Sequence, residues 1–148
     1  MSDAKNNEMV QFTLYKPFGQ IRLVGSALAD QVLSQMQEGD GVVYGMSDPA
    51  TQYVVAGKIV DLPVKPGAHH DFDYSAKQWI FNAESAWAAI RLRRDQLMSA
   101  SDWRVARATE RSELLDQQWK SYRQALRDIT EQPDPSNIQW PVEPVEGA

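Results

Sequence analysis

The spacing of apolar residues changes along the chain, and each change predicts an element. From Val10 to Val24, Phe12, Leu14, Ile21 and Leu23 sit in two strand-length runs on either side of Lys16-Pro17-Phe18-Gly19. A Pro-Gly turn between short apolar runs predicts a hairpin or two consecutive strands. From Ser26 to Glu38 the period lengthens: Leu28, Val32 and Met36 lie four apart, with Ala29 and Leu33 beside them. This pattern predicts a helix with one apolar face, capped by the Ser26 hydroxyl and stopped by Gly39-Asp40-Gly41. Strand-like text returns at Gly41–Gly45 and Gln52–Leu62, divided by the turn Ser47-Asp48-Pro49-Ala50.

The stretch from Pro63 to Asp73 contains Pro63, Pro66 and Gly67 and reads as a linker; Tyr74–Phe81 adds a short aromatic run. Beyond it the period is helical. Asn82 is placed to cap a helix to about Ala100, with Ala83, Trp87, Ile90, Leu97 and Met98 as apolar positions; Ser101-Asp102 reads as a boundary, with Trp103–Thr109 open to continuing the helix. A second helix, about 111–130, carries Leu115, Trp119, Tyr122, Leu126 and Ile129 at spacings of 4, 3, 4 and 3. Pro133 and Pro135 end it. Trp119, Tyr122 and Leu126 are expected to face Trp87, Ile90 and Leu97.

The predicted fold is therefore α+β. A flexible tail (1–8) precedes a strand-strand-helix-strand-strand unit (9–62), a linker (63–82), and a helical hairpin with an extended Pro-rich, Trp-bearing tail (83–148). The 148 residues suit one domain or two very small ones. The N-terminal octet is polar and has no signal-peptide core, and no apolar run approaches a membrane span. Cysteine is absent, which excludes disulfides, zinc thiolates and a cysteine nucleophile. The net charge of −5 argues against general nucleic-acid binding.

Candidate chemistry is sparse. His69-His70-Asp71-Phe72-Asp73 offers metal-ligand types, but neighbouring loop histidines need further ligands fixed by the fold, so a solvated linker is the expected reading. No matched acid, base or nucleophile set and no phosphate-binding loop is present. We expect no catalytic activity, no cofactor and no bound metal. Arginine, in contrast, is concentrated late: residues 91–127 hold nine basic and five acidic groups. Such a surface is either a solvated face with pairs such as Arg91–Asp95 and Asp116–Lys120, or an arginine-rich protein interface.

One set of motifs narrows the choice. The chain contains Arg94-Asp95-x-Leu97, Ser101-Asp102-Trp103, then Trp119-Lys120-Ser121-Tyr122-Arg123-Gln124-Ala125-Leu126-Arg127-Asp128-Ile129, and finally Ile138-x-Trp140-Pro141. In order and spacing, residues 87–144 resemble the phage tail assembly chaperones, a family that includes tail-fibre assembly proteins. The connector Arg104–Glu113 departs from that pattern in being charged and Pro-free. The resemblance implies a non-enzymatic protein of the host cytoplasm that binds a phage tail-fibre or tail protein and assists its folding or assembly. No nucleic-acid, membrane or small-molecule partner is expected. Arg94, Trp103, Trp119, Tyr122, Arg123, Arg127 and Trp140 are the expected partner-binding residues. The alternative is a permanent tail-fibre or baseplate component retained in the virion.

Overall fold

A computed structural model describes residues 8–145, so the tail proposed for residues 1–8 lies almost wholly outside the described residues. The chain divides into two compact units, Met1–Ile80 and Phe81–Ala148. Both helices and strands are present, the strands in small sheets, as an α+β chain requires.

The first unit is built on a three-stranded antiparallel sheet, ordered β2-β1-β3, from β1 (Met9–Tyr15), β2 (Ile21–Leu28) and β3 (Gly41–Tyr44). Phe12 and Leu14 point from β1 into a core with Ala27 and Val32, flanked by Val10, Leu23, Met36 and Val42. Thr13, on the opposite face, is also buried; its hydroxyl donates to the Gly45 carbonyl at 2.9 Å and shares a hydrogen bond with Ser47 Oγ. The β1–β2 turn requires a glycine. Gly19 has φ +94°, and a Cβ there would lie 2.0 Å from the Val54 carbonyl oxygen, while Val54 N–H donates back to the Gly19 carbonyl.

The helix expected from Ser26 is shorter than its periodicity suggests. Ser26, Ala27 and Leu28 pair with Gln11, Val10 and Met9, so β2 continues through the proposed cap. Only α1 (Ala29–Val32) and a 3-10 turn (Leu33–Gln35) follow, without a side-chain cap. Strand pairing thus overrides local helical preference, yet Val32 and Met36 still reach the core. Arg22 secures this segment: its guanidinium donates to the Asp40 carboxylate, at 2.8 Å from Nε, and to the Gln35 carbonyl at 2.8 Å, and Gln37 N–H donates to the same carboxylate.

The run Gln52–Leu62 is two strands rather than one, β4 (Gln52–Val55) and β5 (Lys58–Asp61). They are joined by Ala56-Gly57, with φ +50° and +73°, as a tight hairpin turn demands. The stretch read as a linker also folds: β6 (His70–Asp73) and β7 (Gln78–Phe81) form a third sheet. The Asp73 carboxylate accepts from Ser75 N–H, Ser75 Oγ and Ala76 N–H to close the turn between them. Phe72 stands 5.3 Å from Tyr53, 5.0 Å from Tyr74 and 5.2 Å from Trp79 in edge-on geometry, an aromatic satellite core. Trp79 also donates its indole N–H to the Pro63 carbonyl at 2.8 Å.

In the second unit, Asn82 caps α2 by accepting from Ser85 N–H, as its sequence position predicted. The helix then runs without a break from Ala83 to Glu110, through the boundary expected at Ser101-Asp102. Nothing in Trp103–Glu110 breaks a helix: no proline or glycine intervenes. The stop comes at Ser112, whose φ is +54°. Ser112 N–H bonds to the Thr109 carbonyl and Glu113 N–H to the Ala108 carbonyl, a paired C-terminal closure usually built on glycine. α3 (Gln117–Arg127) starts later than expected, capped by Asp116 through Gln118 N–H, and ends in a 3-10 turn (Asp128–Glu131).

Two outcomes follow for stability. Arg22, with the Gln37 amide, holds the Asp40 carboxyl below its ordinary value. A depressed folded-state value means the contribution is present above the unfolded pKa and is lost as pH falls through the folded one. Asp40→Asn should therefore be less stable at neutral pH and lose less stability on acidification, as read from urea midpoints between roughly pH 5 and 2. Ser112→Gly relieves about 1–2 kcal/mol of left-handed strain against about 0.4–1 kcal/mol of added unfolded-state entropy. A net gain of about 0.5–1 kcal/mol, at unchanged urea m-value, is expected.

Candidate functional site

The tryptophan stripe of α3 is the core of the second unit. Trp119, Tyr122 and Leu126 are buried together, with Leu97, Met98, Leu115 and Trp140 packed around them. The indole of Trp119 and the ring of Tyr122 meet edge-to-face at 5.6 Å. Leu97 joins this cluster as expected, whereas Ile90 is buried elsewhere on α2 and Trp87 is only half-buried. Burial raises the Tyr122 phenol above its ordinary pKa; the Glu143 carboxylate adds to the rise and Arg93 opposes it.

Arg123 is buried, and its guanidinium spans from α3 to α2. It donates to the Met98 carbonyl at 3.1 Å, to Ser101 Oγ at 2.5 Å and to the Asp102 carboxylate at 2.8 Å. Ser101 is itself buried and donates to the Met98 carbonyl. A charge placed among apolar rings is tolerable only with such a set of acceptors. The two motif pieces Ser101-Asp102-Trp103 and Trp119-x-x-Tyr122-Arg123 are thus opposite halves of one clasp. The sequence pattern contained both halves but not their pairing, because contact between residues 21 and 22 positions apart leaves no periodic trace.

A cation–aromatic layer extends the clasp. The Arg104 guanidinium lies 3.8 Å from the centroid of Trp119 and 4.4 Å from that of Trp103. Arg93 lies 4.3 Å from the centroid of Trp140. Trp140 therefore folds back on its own helices. It is delivered there by Gln132, whose side chain exchanges hydrogen bonds with the backbone N–H and carbonyl of Gln139. Arg104 and Arg93 belong to the nine basic groups of residues 91–127 but not to the expected partner-binding set; the late arginine excess was the only signal for them, because their contacts with Trp119 and Trp140 are long-range.

Trp119, Tyr122 and Arg123 thus lie inside the unit, Arg94 and Trp140 are half-buried, and Trp103 and Arg127 are exposed. Arg94 pairs with Asp95 at 2.8 Å, and Arg127 donates to Gln124 Oε1 at 3.2 Å. Trp103 keeps 48% of its surface exposed. In the first unit, His70 Nδ1 lies 2.9 Å from the Ala68 carbonyl oxygen, and His69 has φ +58°. Among the described residues, no group of three or more His, Asp or Glu is arranged to hold a metal ion. No helix among them is long and apolar enough to cross a membrane.

What these residues form is a helical hairpin locked from within, with arginine and tryptophan at its edges. Residues 87–145 match the family model described as phage tail assembly chaperone protein. The match covers the hairpin and the segment after it and leaves the strand-rich unit outside. This family is not an enzyme family. No curated protein and no solved structure matches the chain.

Removal of the clasp should be measurable. Trp119→Ala should cost about 3–5 kcal/mol, as for other buried aromatics. Arg123→Ala removes three hydrogen bonds between the helices and leaves a gap in the packed interior, and should cost about 2–3 kcal/mol. Asp102→Ala removes the carboxylate partner of a buried guanidinium and should cost about 1–2 kcal/mol, held below the Arg123→Ala cost because the carboxylate itself is largely solvated. Urea denaturation of the three variants checks the order.

Proposed function

We propose that the chain is a phage tail or tail-fibre assembly chaperone, which binds a fibre or tail protein in the host cytoplasm and assists its folding or assembly. The observation that carries the reading is the match of residues 87–145 to the tail assembly chaperone model, falling on a hairpin in which Ser101, Asp102 and Arg123 form a single clasp. The arrangement supports a division of labour among the motif residues. Trp119, Tyr122 and Arg123 hold the hairpin's shape, with Trp140 closing over them. Trp103 and Arg127, which are exposed, and Arg94, which is half-buried beside Asp95, are the residues proposed to meet the partner, arginine and tryptophan being among the types that dominate protein interfaces. Arginine stems cover apolar surface while the guanidinium forks onto carboxylates or carbonyls. No catalytic step, cofactor or nucleic acid enters this role.

Co-expression with the fibre and tail proteins encoded by the same phage tests the reading. The expected result is stoichiometric co-purification with one of them, reduced by Trp103→Ala with Arg127→Glu at unchanged circular dichroism. Arg123→Glu is unsuitable for this purpose, since it should unfold the hairpin. Failure to capture any tail or fibre protein would refute the reading. Mass spectrometry of purified virions should find the chain absent or substoichiometric; a fixed copy number per tail would favour the permanent virion component instead.

A further inference from the structure

A cleft of about 420 Å³ opens where the end of α2 passes the start of α3. Its floor is the stack of Arg104 on Trp103 and Trp119. Its walls carry Arg107 and Arg111, one helical turn apart, and Leu114, which is 89% exposed. Among the described residues, neither Arg107 nor Arg111 has a carboxylate at ion-pair distance. Two acidic groups also line the cleft. The Asp116 carboxylate is engaged in capping α3 through Gln118 N–H, which leaves Glu113 as the rim's other negative charge. The cleft is therefore cationic along the α2 wall and apolar at Trp103 and Leu114.

We propose that this cleft takes an extended acidic segment of the partner protein, with carboxylates on Arg107 and Arg111 and an apolar side chain between Trp103 and Leu114. The proposal rests on the chaperone reading. Two features argue for an extended acidic peptide. Arg107 and Arg111 are separated by about 6 Å along the helix axis, close to the roughly 6.6 Å between alternate side chains of an extended strand. The chain's own Val142-Glu143-Pro144-Val145, a segment without helix or strand, reaches the cleft's rim through Val145. Val145 stays 85% exposed there, so it touches the rim without filling the cleft. Both arginines also favour the α2 C-terminus electrostatically, so a test must hold the fold constant.

The probe is a labelled twelve-residue peptide alternating Glu and Val, compared with one alternating Gln and Val and with single-stranded DNA of twelve nucleotides. Saturable, salt-sensitive binding of the Glu peptide alone is expected. Arg107→Gln with Arg111→Gln should weaken it at least tenfold at unchanged circular dichroism and melting temperature, while Arg91→Gln, outside the cleft, should not. Equal binding of the Gln peptide, tighter binding of the DNA, or no loss in the double variant would each overturn the proposal. Capture of the tail protein separates this from the wider reading. If the double variant captures it at wild-type yield, the cleft assignment falls and the chaperone role stands. If the wild-type chain captures nothing, the chaperone role falls, and the peptide titration still decides what the cleft binds.

Discussion

The second unit depends on one buried guanidinium. α3 has only 11 residues, too few to persist as an isolated helix, and its apolar stripe is narrow. Packing of Trp119, Tyr122 and Leu126 on α2 supplies the driving force, but apolar contact alone is tolerant of sliding and rotation. Arg123 removes that tolerance. Its acceptors, Met98 O, Ser101 Oγ and Asp102, are fixed on consecutive turns of α2, and only one register satisfies all of them. Misalignment would leave a charged group buried and unpaired, a penalty on the same scale as losing an aromatic side chain from the core.

The first unit solves the same problem differently. Its sheet is small, and its segments are tied by polar contacts, two at the edges (Arg22 to Asp40 and Gln35, the Gly19 turn against Val54) and one buried (Thr13 to Gly45). The β6–β7 hairpin adds aromatic edges around Phe72 where the main core does not extend. A chain of this length has little apolar area to spare, so short strands are stabilised by rings and caps as much as by a deep core.

The parts legible in the sequence were those governed by local chemistry. The Lys16–Gly19 turn, the Asn82 cap and the 4-3-4-3 stripe of α3 each act within a few residues. What escaped was decided at longer range or by atypical residues. Ser26–Leu28 has helical spacing but is claimed by pairing with Met9–Gln11. Ala56-Gly57 turns the chain with only one glycine to mark it, and His70–Phe81 alternates too briefly to separate a hairpin from a loop. α2 outran its expected end because Ser101-Asp102, a plausible boundary by composition, is instead the clasp's receptor. Its true end, at Ser112, lacks the usual glycine. The motif pieces are visible in the sequence, while which of their side chains are buried and which exposed needed the fold.

The clasp also governs how the hairpin can tolerate changes of length. Adding one residue to a helix rotates everything beyond it by about 100° and advances it by 1.5 Å. Between Ser101 and Arg123, such a change inside either helix would swing a donor away from its acceptor or the turn away from closure. The stretch 111–116, between the helix ends, carries no clasp contact. Insertions and deletions should therefore accumulate there, or come as whole turns added to both helices together. Related hairpins would then vary in the length and composition of the stretch between the helices while keeping the two halves of the clasp in phase.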